Sequence, residues 1–163
     1  MTATTSNETR IEADPKLPTI RIVREFDAPP ARVYRAWTDP DLVVQWLGPK
    51  DTSMKIDYWD ARTGGSYRYS AWRDGVEIAA FYGSFHEVRP DRRLVQTFTF
   101  EGYPDGVSLE TMVFEDLGNG RTRTTALGVV DSMESRDAIL ASGMDRGVIE
   151  GYQKLDALLI SQV

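Results

Sequence analysis

A chain of 163 residues with 41% hydrophobic and 10% aromatic side chains has the length of one domain and too much apolar content for a disordered protein. Its formal net charge of −6 repels phosphate backbones and makes nucleic acid a poor partner. With no cysteine and a single histidine, His86, the chain excludes disulfides, thiolate nucleophiles, zinc fingers, iron–sulfur clusters and two-histidine metal motifs, and no cofactor is expected.

Residues 1–18 are polar, carry Pro15 and Pro18, and read as a flexible tail ahead of one domain over residues 19–163. The tail has no apolar signal stretch, and no apolar run in the chain approaches the roughly 20 residues of a membrane span, so a cytoplasmic protein is expected. Ile20, Ile22 and Phe26 alternate with Arg21, Val23 and Glu25, which predicts a strand over residues 19–28. Pro29 and Pro30 stop it and suit the first turn of a helix that carries Val33, Ala36 and Trp37 on one face. Asp39 caps a second short helix, opened by Pro40 and closed by Gly48-Pro49, with Leu42, Val43, Trp46 and Leu47 inward.

From Thr52 the texture is strands and turns, with strands predicted at residues 53–59, 67–71, 78–88, 93–101, 107–115 and 121–130. Short connections make neighbours antiparallel, because parallel pairs need long crossovers. With the first strand, the sheet has about seven. Asp131 as N-cap with Glu134 three residues on predicts a final helix of about 30 residues, striped by Ile139, Leu140, Met144, Val148, Tyr152, Leu155 and Leu159. The fold class is α+β: a curved antiparallel sheet wrapped on a long C-terminal helix, with two short helices after the first strand.

Several stretches carry a family pattern. Residues 26–40, from Phe26-Asp27-Ala28-Pro29-Pro30 to Trp37-Thr38-Asp39-Pro40, resemble the opening signature of helix-grip (START-like, SRPBCC) domains, and Trp46-Leu47-Gly48-Pro49 continues it. Asp60-Ala61-Arg62-Thr63-Gly64-Gly65-Ser66-Tyr67 resembles the D-x-R-x-G-G-x-[YW] turn of that superfamily. Phe81-x-Gly83-x-Phe85-x-Glu87-Val88-x-Pro90, Arg93-Leu94-Val95 and Gly143-Met144-x-x-Gly147-x-x-Glu150 follow in order. Together they are similar to the branch named after the activator of heat-shock protein 90 ATPase, over residues 20–159. The resemblance implies a hydrophobic cavity between sheet and final helix. Members bind lipids, steroids or polyketides, some cyclise or dehydrate such ligands, and some assist the chaperone in the stress response. The eukaryotic activator has a separate N-terminal chaperone-binding domain, for which the 18 residues before the first strand leave no room.

The expected function is binding of a small hydrophobic or amphiphilic ligand. An enzyme of the cyclase, dehydratase or hydrolase type and a chaperone-activator-like interaction domain are the alternatives. The partners considered are an apolar ligand, a second copy of the chain and the chaperone. Candidate ligand-binding residues are Trp37, Trp46, Tyr58, Tyr67, Tyr69, Phe81, Phe85, Phe98, Met112, Met144, Gly147 and Tyr152. Most of these would serve a plain hydrophobic core equally well. His86 alternates out of phase with Phe81, Gly83 and Phe85, so it faces outward unless a bulge at Gly83 inverts the strand. Glu110 is in phase with Met112 and Phe114. If that phase is inward it is a partly buried carboxylate able to pair with Arg68 or to hold the polar end of a ligand. These two are the only weak catalytic candidates. Gly143, Gly147 and Gly151 fit close approach to sheet residues such as Phe85 or Phe98, room for a ligand, or a kink near Gly143. Asp60 and Arg62 read as turn-holding, Gly64 and Gly65 as backbone-permissive, and the carboxylate spacing fits no calcium loop.

Overall fold

The computed structural model describes residues 7–161. The elements run β1 (Arg10–Ala13), β2 (Thr19–Phe26), α1 (Pro30–Thr38), α2 (Pro40–Trp46), β3 (Ser53–Trp59), β4 (Ser66–Arg73), β5 (Val76–Arg89), β6 (Arg93–Phe100), β7 (Ser108–Gly118), β8 (Arg121–Val129), α3 (Met133–Ala141) and α4 (Met144–Ser161). All eight strands form one sheet in the order β1-β2-β8-β7-β6-β5-β4-β3. Tight turns make β3 to β8 a meander, and β2 closes it by pairing with the last strand. At the β7–β8 turn, Gly118, Asn119 and Gly120 all take positive φ, the conformation that a Gly-Asn-Gly sequence supplies at low cost. The helices cover one face of the sheet, which is the helix-grip arrangement.

The local signals act as their chemistry dictates. Pro30 opens α1, where a missing N–H costs nothing. Asp39 caps α2 by accepting the Asp41 backbone N–H at 3.0 Å.

Three local expectations need correction. The stretch assigned to the tail contains a strand: Arg10–Ala13 pairs with β2 and makes the sheet eight-stranded. Its exposed, mixed residues give no hydrophobic period, and it joins the sheet by backbone pairing with β2. Residues 1–6 lie outside the described residues. The final helix is two helices, because Gly143 adopts φ +85° and breaks it. Its N-cap is Ser132, whose Oγ accepts the Ser135 N–H at 3.0 Å, rather than Asp131.

Two clusters make the core. One lies under α1, α2 and α4 and centres on Phe26, Trp46, Leu94, Phe114, Tyr152 and Leu155, with edge-on pairs such as Phe26–Tyr152 at 5.4 Å. The other lies on β3 to β6 and centres on Tyr67, Tyr69 and Phe85. Gly83 makes the second possible. A Cβ there would stand 2.0 Å from the Thr97 carbonyl oxygen and 2.7 Å from the Tyr67 hydroxyl. Without it, the Tyr67 ring crosses β5 and donates to that carbonyl at 2.5 Å.

Candidate functional site

Between the two clusters lies a cavity of about 350 Å³. Trp37, Trp46 and Tyr152 reach it from the first cluster, and Trp59, Tyr67, Tyr69 and Phe98 from the second. The inner faces of β2, β7 and β8 supply the floor with Ile22, Met112 and Ala126, while Ile139, Met144 and Val148 of α3 and α4 form the roof.

Eight of the twelve candidate positions lie in this wall: Trp37, Trp46, Tyr67, Tyr69, Phe98, Met112, Met144 and Tyr152. The other four do not. A bulge between Ile56 and Tyr58 turns Tyr58 outward, 49% exposed, and puts Trp59 in the wall instead. Phe85 is fully buried behind Tyr67, and Phe81 stacks on Tyr69 and Phe98 outside the wall. Gly147 faces Pro49, whose Cδ would lie 3.6 Å from an added Cβ. Gly151 lets α4 approach α2, because a Cβ there would stand 3.1 Å from the Trp46 carbonyl oxygen. Gly147 and Gly151 thus meet the end of α2 and the α2–β3 connection rather than Phe85 or Phe98, and nothing lies within 4 Å of a Cβ built at Gly143. In the turn before β4, Asp60 and Arg62 pair at 2.8 Å on the surface, and a Cβ at Gly65 would collide with the Asp60 carbonyl.

The sheet separates the two titratable candidates. His86 lies at a bulge between Phe85 and Glu87 and is exposed on the outer face. Glu110 lies on the inner face, in register with Gln96 of β6 and Gly128 of β8. Its accessible surface is turned to the cavity. Ser108 Oγ sits 2.9 Å from Oε1, and Oε2 occupies the space over Gly128, where a Cβ would come within 2.9 Å. Arg68 is not its partner: Arg68 is on the other face, paired with Asp57 and Glu101. Burial therefore raises the Glu110 pKa, opposed only by the Ser108 hydrogen bond. Burial also pushes up the phenols of Tyr67, Tyr69 and Tyr152, and the nearby Glu110 charge adds to each shift.

Arg136 is the other charged residue in the wall. It ties α3 to the chain before β2, with Nη1 donating to the carbonyls of Asp14, Leu17 and Thr19 at 2.8, 3.0 and 3.0 Å. Its Nε bonds Asp137 at 2.9 Å. Sequence reasoning missed Arg136, Trp59, Gln96 and Gly128. For Arg136 and Gly128 no local signal exists, since each acts across the fold. Among the described residues, no three potential ligands cluster as a metal site, and no helix is long and apolar enough to cross a membrane.

The Glu110 environment has a measurable consequence. Its pKa is higher in the folded than in the unfolded protein, so folding binds the proton more tightly. The associated stability is complete below the unfolded value and is lost as pH rises through the folded one. The protein is therefore expected to lose stability relative to Glu110→Gln in urea titrations as pH rises above the ordinary carboxylate range. A difference that stays constant as pH rises would mean that the carboxyl is solvated.

The family model for activator of Hsp90 ATPase homolog 1-like proteins matches residues 27–160. No curated protein matches the chain. Among solved structures, the chain is similar to a Mycobacterium smegmatis protein, with TM-score 0.83 and 27% identity over 93% of this chain and 96% of that one. An Arthrobacter aurescens protein gives 0.84 and 27%, over 94% and 92%. A Rhodobacter sphaeroides protein gives 0.84 and 24%, over 94% and 99%, and shows the shared fold. The family match runs from the end of β2 through the strands of the cavity wall to the last turn of α4. By that span, the chain belongs to the activator of Hsp90 ATPase homolog 1-like family.

Proposed function

We propose that the protein binds one small, mainly apolar, lipid-like or polyketide-like ligand in the cavity between the sheet and the C-terminal helices. The observation that carries this reading is the cavity itself. Protein interiors are close-packed, with few voids larger than a water molecule. A space of about 350 Å³ lined mainly by apolar side chains is far larger than such voids. Water gains little against a wall of indoles, phenols and aliphatic groups with two charged side chains in it. An apolar ligand gains that wall as contact surface, and the volume falls in the range of small-molecule sites.

Nile red titration tests the proposal. Saturable binding at one site per chain is expected, and native mass spectrometry of freshly purified protein should show a co-purifying small molecule. Ala126 lies in the floor beside Met112 and Ile22, so Ala126→Phe fills the space and should weaken the dye by at least about tenfold. Absence of saturable binding, or unchanged binding in folded Ala126→Phe, would overturn the proposal.

A further inference from the structure

Resting on that binding reading, we infer that the ligand carries a hydroxyl group on its apolar body, held by the phenols of Tyr69 and Tyr152. The two side chains enter the cavity wall from opposite core clusters, Tyr69 on β4 and Tyr152 on α4. Both are more than nine-tenths buried, at 7% and 6% exposure. Tyr67, the third tyrosine of the wall, spends its hydroxyl on the Thr97 carbonyl, whereas those of Tyr69 and Tyr152 meet no hydrogen-bond partner among the described residues. Neither oxygen is shut inside the protein, so its partner comes from the cavity side. The core itself has no use for these two hydroxyls. Tyr69 stacks on Phe81 at 5.1 Å and Tyr152 meets Phe26 edge-on at 5.4 Å, contacts that phenylalanine would make equally well. Buried polar groups are nearly always paired, so two unpaired hydroxyls on one cavity point to a partner that enters it.

The neighbouring carboxyl narrows the chemistry of that partner. Phenols are uncharged at neutral pH, and each can both donate and accept. Glu110 lies on the inner face of the sheet with one oxygen on Ser108, near enough for its charge to bear on both phenols. A hydroxyl matches this set whether or not Glu110 carries a proton. It gives its hydrogen to a carboxylate or accepts one from a carboxylic acid, and a phenol makes the complementary bond. A hydrocarbon leaves all of these groups unpaired. A carbonyl oxygen only accepts, so it would face an ionised Glu110 with nothing to donate. A charged group would give up its water to a wall that is mostly apolar.

2-Naphthylmethanol and 2-ethylnaphthalene differ only in a hydroxyl on one where the other has a methyl group. Their competition with Nile red, referred to each protein's own affinity for the dye, tests the inference. An apolar wall alone favours the hydrocarbon, because the hydroxyl loses its hydration. In the native protein the alcohol should nevertheless compete at least as well. The ratio of alcohol to hydrocarbon affinity should fall about fivefold in Tyr69→Phe and in Tyr152→Phe, and further in the double variant. A change that merely repacks the cavity moves both compounds together and leaves this ratio alone. A native preference for the hydrocarbon, or an unchanged ratio in the folded double variant, would overturn the inference while leaving the Nile red site standing; water would then be what satisfies the two phenols. Failure of Nile red and of both compounds to bind the native protein would instead remove the binding reading, and this inference with it.

Discussion

Trp46→Ala is expected to lower the unfolding free energy by about 3–5 kcal/mol, the range for deleting a buried large aromatic side chain. Trp46 is 3% exposed, and its ring centroid lies 4.7 Å from that of Trp37 and 6.1 Å from that of Tyr152. The indole N–H donates to the Ala36 carbonyl at 2.9 Å, so truncation also leaves a buried acceptor unpaired, at a cost of about 1 kcal/mol or more. Collapse into the new space is limited. The side chain already borders the cavity, and the Trp46 backbone is packed against α4 at Gly151. For a chain of this length the loss corresponds to a fall in melting temperature of roughly 6–20 °C. Trp46→Phe restores part of the packing but not the hydrogen bond, and should fall between the two. Urea unfolding of the three proteins decides the matter: a loss below about 1 kcal/mol for Trp46→Ala would mean that the indole is not buried in solution.

Trp46 was legible from the sequence, as was most of the wall, because its residues follow the local periods of helix and strand. Leu42, Val43 and Trp46 repeat at helical spacing after an Asp-Pro start, and the phase of Glu110, Met112 and Phe114 needed only the choice of face. What remained hidden has one physical character: it depends on events that break a period or cross the fold. A single bulge after Ile56 exchanges Tyr58 for Trp59, because one extra residue inverts the strand's faces. Gly143 was recognisable as a helix weakness, but whether it bends the helix or ends it depends on the left-handed backbone it adopts. Arg10–Ala13 joins the sheet through backbone hydrogen bonds that carry no side-chain signature. The glycine stripe left close approach to the sheet, room for a ligand and a kink open, and at Gly147 and Gly151 the neighbour is the end of α2 and the α2–β3 connection, about 100 residues earlier in the chain. Gly128 is the limiting case. Its meaning is the Glu110 carboxyl on the next strand, and nothing beside it in the chain says so.

The clamp between α4 and the sheet should respond asymmetrically to the loss of either partner. Arg24 projects from the inner face of β2 and is 2% exposed. Its Nη1 and Nη2 meet the Asp156 carboxylate of α4 at 3.0 and 2.5 Å. Its guanidinium also donates to the Glu25 carbonyl at 2.7 Å and lies 4.8 Å from the Phe26 ring centroid. Asp156, by contrast, is 29% exposed. Asp156→Ala strands a buried cation, so it should cost about 3–5 kcal/mol. Arg24→Met leaves a carboxylate that water can reach and fills the stem's place with apolar atoms, so its cost should be only about 1–2 kcal/mol. The double change Arg24→Met with Asp156→Leu removes both charges and should be less damaging than Asp156→Ala alone. Urea unfolding of these three proteins gives the ordering. If Arg24→Met proved more costly than Asp156→Ala, the clamp would act through the packing and hydrogen bonds of the arginine rather than through the ion pair. Because α4 forms part of the cavity roof, the ion pair also sets how firmly that roof is held against the sheet. Asp156→Ala should therefore loosen Nile red binding, whereas the double change, which leaves no stranded charge, should largely restore it.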